Sequence, residues 1–191
     1  EVADIRYIVY RASRFQLQDL LLAMDSEPGS PSRRLGGTLA NNTWARYLVK
    51  HKCRETVDYL MFAKTCEPHV VVPADSWKDI NRDTVAMGRL IDEAHDRFLR
   101  TESDYIKLRY AFQAIRLAHY SQNYEKTLKL VAYYLPKIDN DPSIVEHWIW
   151  GHKAGALQAL GNRPEAAYLY SRIFEKCPSK RESAYRSFRI D

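Results

Sequence analysis

Apolar residues recur at helical rather than alternating spacing along most of this 191-residue chain. Phe15, Leu17, Leu20, Leu21 and Met24 follow Ser13-Arg14-Phe15-Gln16, a capping box in which the Ser hydroxyl and the Gln side chain satisfy each other's free backbone N–H groups. The pattern predicts a helix running to about residue 25, and Ile5, Ile8 and Val9 before it read as a further short helix. Trp44, Tyr47 and Leu48, then Val57, Leu60 and Met61, predict two helices broken near His51-Lys52 and stopped by Pro68 and Pro73. Ser76 is expected to cap a long helix to about residue 100, with Val85, Leu90, Ile91, Ala94 and Phe98 on its buried side. Ser103 or Asp104 opens the next helix, which carries Tyr105, Leu108, Ala111, Phe112, Ile115 and Ala118, and residues 124–135 form its return. Ser143-Ile144-Val145-Glu146 reads as a second capping box, for a helix ending near residue 160. In Gly161-Asn162-Arg163-Pro164, Gly supplies a left-handed cap and Pro an early helical position, and the helix after it reaches about residue 176. Pro178 ends that helix, and Ser179-Lys180-Arg181-Glu182 caps a last one.

One stretch breaks the pattern. Glu27-Pro28-Gly29-Ser30-Pro31-Ser32 and Gly36-Gly37 are turn formers, so 26–41 reads as a loop or linker. The expected organisation is an N-terminal helical segment over 1–25, that linker, and a helical domain over 42–191 whose residues 179–191 are a capping helix. Composition supports helices. Only 7 Gly stand against 13 Tyr and 4 Trp, too few turn residues for many short strands. With 46% hydrophobic and 28% charged residues the chain has enough apolar surface to form a core. No apolar run approaches the roughly 18 residues needed to cross a bilayer, and no signal peptide is legible. A chain that opens on Glu1 reads as a piece of a longer product, so its compartment, bacterial cytoplasm or envelope, stays open.

The helical pairs resemble the tetratricopeptide repeat, a helix–turn–helix unit of roughly 34 residues. Trp150, Leu157, Gly161, Ala166, Tyr170 and Pro178 carry the likeness, while Lys153 and Ala154 depart from the usual Leu-Gly pair. A second unit has Tyr47, Thr56, Leu60, Ala63 and Pro68, and Tyr124, Thr127 and Tyr134 suggest another return helix. Thr127 and Ala166 lie further apart than one period, an excess assigned to the Asp139-Asn140-Asp141-Pro142 loop. The resemblance covers roughly residues 42–178. It implies an all-α fold in which antiparallel helix pairs stack as a tetratricopeptide-like right-handed superhelix, an α-solenoid, because no pair can bury both its faces alone. The strings 45–51 and 116–121 also look like segments of larger bacterial helical proteins, a likeness that implies no activity.

Candidate chemistry is sparse. Asp92, His95 and Asp96 stand one turn apart, but a metal would need a ligand from another element, and no HExxH motif exists. His147 and His152 lie about 140° apart around a helix and read as poor joint ligands. His51 and Cys53 lack an orienting third group, and there is no phosphate loop or GxSxG elbow. Cys53, Cys66 and Cys177 read as plain thiols filling packing gaps. Neither a metal nor a cofactor is expected, nor catalysis.

Arg109, Phe112, Arg116, His119 and Tyr120 are the candidate binding residues. The resemblance puts them on the inner face of a first helix, where the family commonly binds peptides; Arg offers a planar fork to carboxylates, and Phe and Tyr offer large apolar area. The expected function is a non-catalytic scaffold, part of a larger protein, that holds a peptide or neighbouring domain on its concave face. Nucleic-acid binding is the alternative. Its support is the net charge of +5 and the mixture of Lys176, Lys180, Arg181, Arg186 and Arg189 with Tyr185 and Phe188, diluted by Glu175, Glu182 and Asp191.

Overall fold

Every regular element is a helix among the residues that the computed structural model describes: 1–26, 35–71, 82–138 and 143–188. The chain divides into two compact units, Glu1–Thr65 and Cys66–Asp191.

In the first unit, α1 (Val2–Arg6) runs into a π-helical turn at Tyr7–Arg11, and α2 (Arg14–Met24) follows. The Ser13 capping box forms: Gln16 N donates to Ser13 Oγ at 3.2 Å, and Ser13 N donates to Gln16 Oε1 at 2.9 Å. Leu17, Leu20, Leu21 and Met24 are buried, whereas Phe15 is 84% exposed. Phe15 lies two residues from Leu17, on another side of the helix, so it cannot join the buried stripe. Part of the stretch expected to be a loop, 26–41, is helical: α3 spans Gly37–Asn41, with Gly37 at φ +56. Residues 27–34 lie outside the described residues.

The next helix, α4 (Thr43–Lys50), is capped by Asn42, whose side chain accepts from Ala45 N at 2.8 Å and donates to the Asp4 carbonyl at 3.1 Å. The Asp4 carboxylate accepts from Thr43 N and Oγ1, placing a negative charge at the positive end of α4. These bonds hold the Asp4 carboxyl below its ordinary pKa. The aliphatic core gathers Ile8, Leu17, Leu20, Leu39, Leu48, Val57 and Leu60. Helix α5 (Arg54–Val70) does not stop at Pro68 as expected; Pro68 lies inside it. Pro68 has no N–H to give the carbonyl of Lys64, and the helix runs only two residues past it. Pro73 is outside the described residues.

In the second unit, α6 (Thr84–Arg100) is capped by Asp83, which accepts from Ala86 N at 2.9 Å; the expected cap, Ser76, lies outside the described residues. Leu90, Ile91, Ala94 and Phe98 are buried as expected, joined by Met87, while Val85 is 65% exposed, off the stripe that starts two residues later. Then come α7 (Asp104–Tyr120), α8 (Tyr124–Tyr134) with a 3₁₀ turn at Leu135–Lys137, and α9 (Val145–Ala159). The expected Ser143 capping box is absent. Ile144 is the N-cap residue of α9 and makes no side-chain cap bond, so Ser143 stands one residue too early. Last are α10 (Arg163–Lys176), a 3₁₀ turn at Pro178–Lys180, and α11 (Arg181–Phe188), into which that turn leads directly. Helix α7 packs on α6, α8 and α9, α8 also on α9, α9 on α10, and α10 on α11.

The turns α4–α5, α7–α8 and α9–α10 have the same construction. Each places one residue at positive φ: Lys52 (+50), Gln122 (+60) and Gly161 (+86). In each, the following N–H reaches back five residues, Cys53 to Leu48 O, Asn123 to Ala118 O and Asn162 to Leu157 O, as in a Schellman motif. Asn123 and Asn162 then cap the next helix with their side chains. Five positions after the positive-φ residue stand Val57, Thr127 and Ala166, all buried. The residue equivalent to Thr127 and Ala166 is therefore Val57 rather than Thr56, which is only partly buried. Among the described residues no helix is long and apolar enough to cross a membrane.

Candidate functional site

An open cavity of about 400 Å³ lies within the second unit, walled by α7, α9, α10 and the chain entering and forming α11. From α7 come Phe112, Arg116, His119 and Tyr120, which recur at helical spacing and share one face. Four of the five candidates thus meet in one place. Arg109 does not join them: its guanidinium lies 3.2 Å from the Tyr105 ring centroid and donates to the Tyr105 carbonyl, one turn nearer the start of α7.

The facing wall belongs to α9. Trp148, Gly151, His152 and Gly155 recur at i, i+3, i+4 and i+7 and so form one stripe, with His147 beside it. Gly155 has a specific reason to be Gly. A Cβ there would stand 2.8 Å from His119 Cε1, so only a bare backbone lets the imidazole lie against α9. Gly151 has open space around it. The His119 ring sits 4.9 Å from that of His152, which in turn is 5.8 Å from Phe112 and 6.0 Å from Tyr120. Trp148 stacks at an angle on Phe112 at 5.6 Å. Tyr170, Ile173, Lys180, Ser183, Ala184 and Ser187 complete the lining.

The electrostatics are one-sided. Among the described residues the lining holds Arg116 and Lys180 but no Asp or Glu. Arg116 lies over the Phe112 ring at 5.8 Å and the Tyr120 ring at 5.9 Å, within cation–π reach, and Arg82 lies over the Tyr120 ring at 4.8 Å. Burial first, then the neighbouring charges of His119, Arg116 and Lys180, push the His152 imidazole down to about pKa 3. Burial also lowers His119, against a hydrogen bond to the His152 backbone that works the other way. Both rings are neutral at pH 7. Nδ1 of His119, Nδ1 of His147 and Nε1 of Trp148 are buried and have no hydrogen-bond partner. Each such atom costs about 1–3 kcal/mol, so the walls are not closed by bonds of their own.

The other constellations resolve into packing. His95 Nδ1 is 3.1 Å from the buried Tyr134 hydroxyl, and Asp92 faces Lys126. Among the described residues no group of three or more His, Cys, Asp or Glu has a geometry that could hold a metal. His51 stacks on Tyr47 at 4.3 Å. The three cysteines are free thiols; burial, then the nearby Glu93 carboxylate, pushes Cys66 up to about 12, which keeps it a thiol. Arg181 lies over Phe174, and Arg186 pairs with Glu182, so two of the C-terminal cations are engaged locally; Arg189 and Asp191 lie outside the described residues.

His147, Trp148 and His152 were not among the residues singled out for binding, and Lys180 was named only in the basic C-terminal mixture of the nucleic-acid alternative. The 140° between His147 and His152 argued against shared ligation, but it does not keep two side chains from bordering one broad cavity. The periodic stripe on α9 was the available signal. Compared with protein-family models, with curated proteins and with solved structures, the chain matches none.

Proposed function

We propose that the chain is a non-catalytic protein-interaction module, a tetratricopeptide-like α-solenoid that grips an acidic segment of a partner protein at the α7–α9–α11 cavity. The recurring turn supports the repeat reading. So does the packing of α7 on both α8 and α9, because a stacked repeat needs each first helix to touch its own return helix and the next first helix. The observation that carries the binding reading is charge. Two cations and several aromatic rings border a cavity without a single carboxylate, and neither cation has an ion-pair partner among the described residues. Arg beside aromatic rings is a common composition for a binding hot spot.

Selection from a random-peptide display library tests this. Peptides enriched on the protein are expected to be rich in Asp or Glu beside an aromatic residue, and to lose at least tenfold in affinity on Arg116→Glu. Enrichment without acidic residues, or affinity indifferent to Arg116→Glu, overturns it. Retention on RNA that collapses with added salt would instead favour the nucleic-acid alternative.

A further inference from the structure

A carboxylate needs only a cation, yet this cavity offers considerably more. Its volume of about 400 Å³ falls in the range of small-molecule sites and far exceeds what a bare inorganic anion fills. The walls are aromatic: the Phe112 and Trp148 rings meet at 56° with centroids 5.6 Å apart, and Tyr170 adds a third ring to the lining. The cations enter from different elements, Arg116 from the end of α7 and Lys180 from the turn before α11. Arg116 is held over two rings rather than by a carboxylate, so its N–H fork remains to be used. Ser183 and Ser187, four residues apart on α11, add hydroxyls to the same lining.

We propose that the cavity recognises an anion carried on a flat ring, an aryl phosphate or a closely similar group, with Arg116 and Lys180 on the anion and the ring lodged against Phe112 and Trp148. The inference rests on the reading of this cavity as the recognition site and names the chemistry that it takes. That chemistry has two sources, a phosphorylated tyrosine in a partner peptide and a free nucleoside monophosphate. Each joins a planar ring to a dianionic phosphate, directly in the phosphotyrosine and through the ribose in the nucleotide.

Nδ1 of His119 fits the same picture. The ring interacts with the His152 backbone, and its Nδ1 is buried without a hydrogen-bond partner. A bound anion favours protonation there, and the imidazolium would then donate toward it. Burial is the main cause of the lowered His152 pKa, with His119 and then Arg116 and Lys180 adding to it in the same direction.

Phenyl phosphate, inorganic phosphate and phenol are titrated into the intact chain, with intrinsic tryptophan fluorescence and amide chemical shifts as readouts. Phenyl phosphate is expected to bind at least tenfold more tightly than either fragment. Arg116→Gln should weaken it about tenfold and Lys180→Gln a few-fold, with shifts confined to α7, α9 and α11. Adenosine monophosphate and a phosphotyrosine peptide then separate the sources: tighter binding of one assigns the natural ligand to that class. Equal binding of phenol and phenyl phosphate overturns the proposal, as does an undiminished response in both variants. Should Arg116→Gln fail to fold, Lys180→Gln decides alone. If phenyl phosphate fails while acidic peptides still need Arg116, this inference falls and the interaction module stands. If phenyl phosphate binds and no acidic peptide does, the reverse holds.

Discussion

The two units solve the same packing problem with different residues. Glu1–Thr65 buries aliphatic side chains, and its polar groups answer one another: Ser13 with Gln16, Asn42 with Ala45 and Asp4, Asp4 with Thr43. Cys66–Asp191 also has an aliphatic core, yet it gathers rings and cations around an opening and leaves three ring nitrogens there without partners. A core selected only for stability has no reason to keep such atoms, since each lost hydrogen bond weakens the fold. The difference is the reason for placing the proposed site in the second unit. In hydrogen-bonding terms the first unit is closed among its described residues, and the second is left unfinished at its cavity.

The sharpest test of that contrast is in the closed unit. Leu20→Ala deletes a side chain with no solvent exposure, and is expected to cost about 2–5 kcal/mol. Hydrogen exchange should show protection lost at amides of residues 1–65. A cost below about 1 kcal/mol would mean that this core is loosely packed.

Acid should act first on the unfinished place. The His152 pKa is lower in the folded chain than in the unfolded one, so the unfolded state binds more protons between about pH 6.5 and 3. Stability is therefore complete above pH 6.5 and is lost as pH falls, by up to about 1.4 kcal/mol per pH unit for each such proton. His119 shifts in the same direction. His152→Asn, which cannot titrate, should flatten the decline of Tm between pH 7 and pH 5. An unchanged slope would remove His152 as its source.

Smaller effects separate the two glycines of α9. Gly155→Val must displace His119 and should cost about 1–3 kcal/mol by overpacking, whereas Gly151→Ala meets nothing and should stabilise by about 0.5–1 kcal/mol through helix propensity. Urea midpoints for both variants would show it, and equal signs would contradict the close approach of α7 to α9. Ser13→Ala should cost about 1 kcal/mol, while Ser143→Ala should cost less as a cap, because only Ser13 forms its capping box.

Much of this fold was legible because helix formation is local. The Ser13 box, the break at His51-Lys52 and the Gly161-Pro164 turn are written in neighbouring residues, and the structure has each of them. The errors share a cause. Ser143 and Thr56 each sit one residue from the position that matters, and a sequence pattern cannot fix register that closely. Pro68 misled because a proline removes one bond to the turn before it without forbidding the two helical residues that follow.

The amino-acid order by itself determined that the chain is helical, where most helices begin and end, and that Phe112, Arg116, His119 and Tyr120 share a helix face, since these follow from 3.6-residue periodicity and nearby hydrogen bonds. Only the tertiary structure decided that this face meets the stripe Trp148-Gly151-His152-Gly155, that Lys180 comes to the same cavity from beyond α10, and that Arg109 is left out. Which faces meet is settled by packing between residues dozens of positions apart, and local pattern carries no record of it.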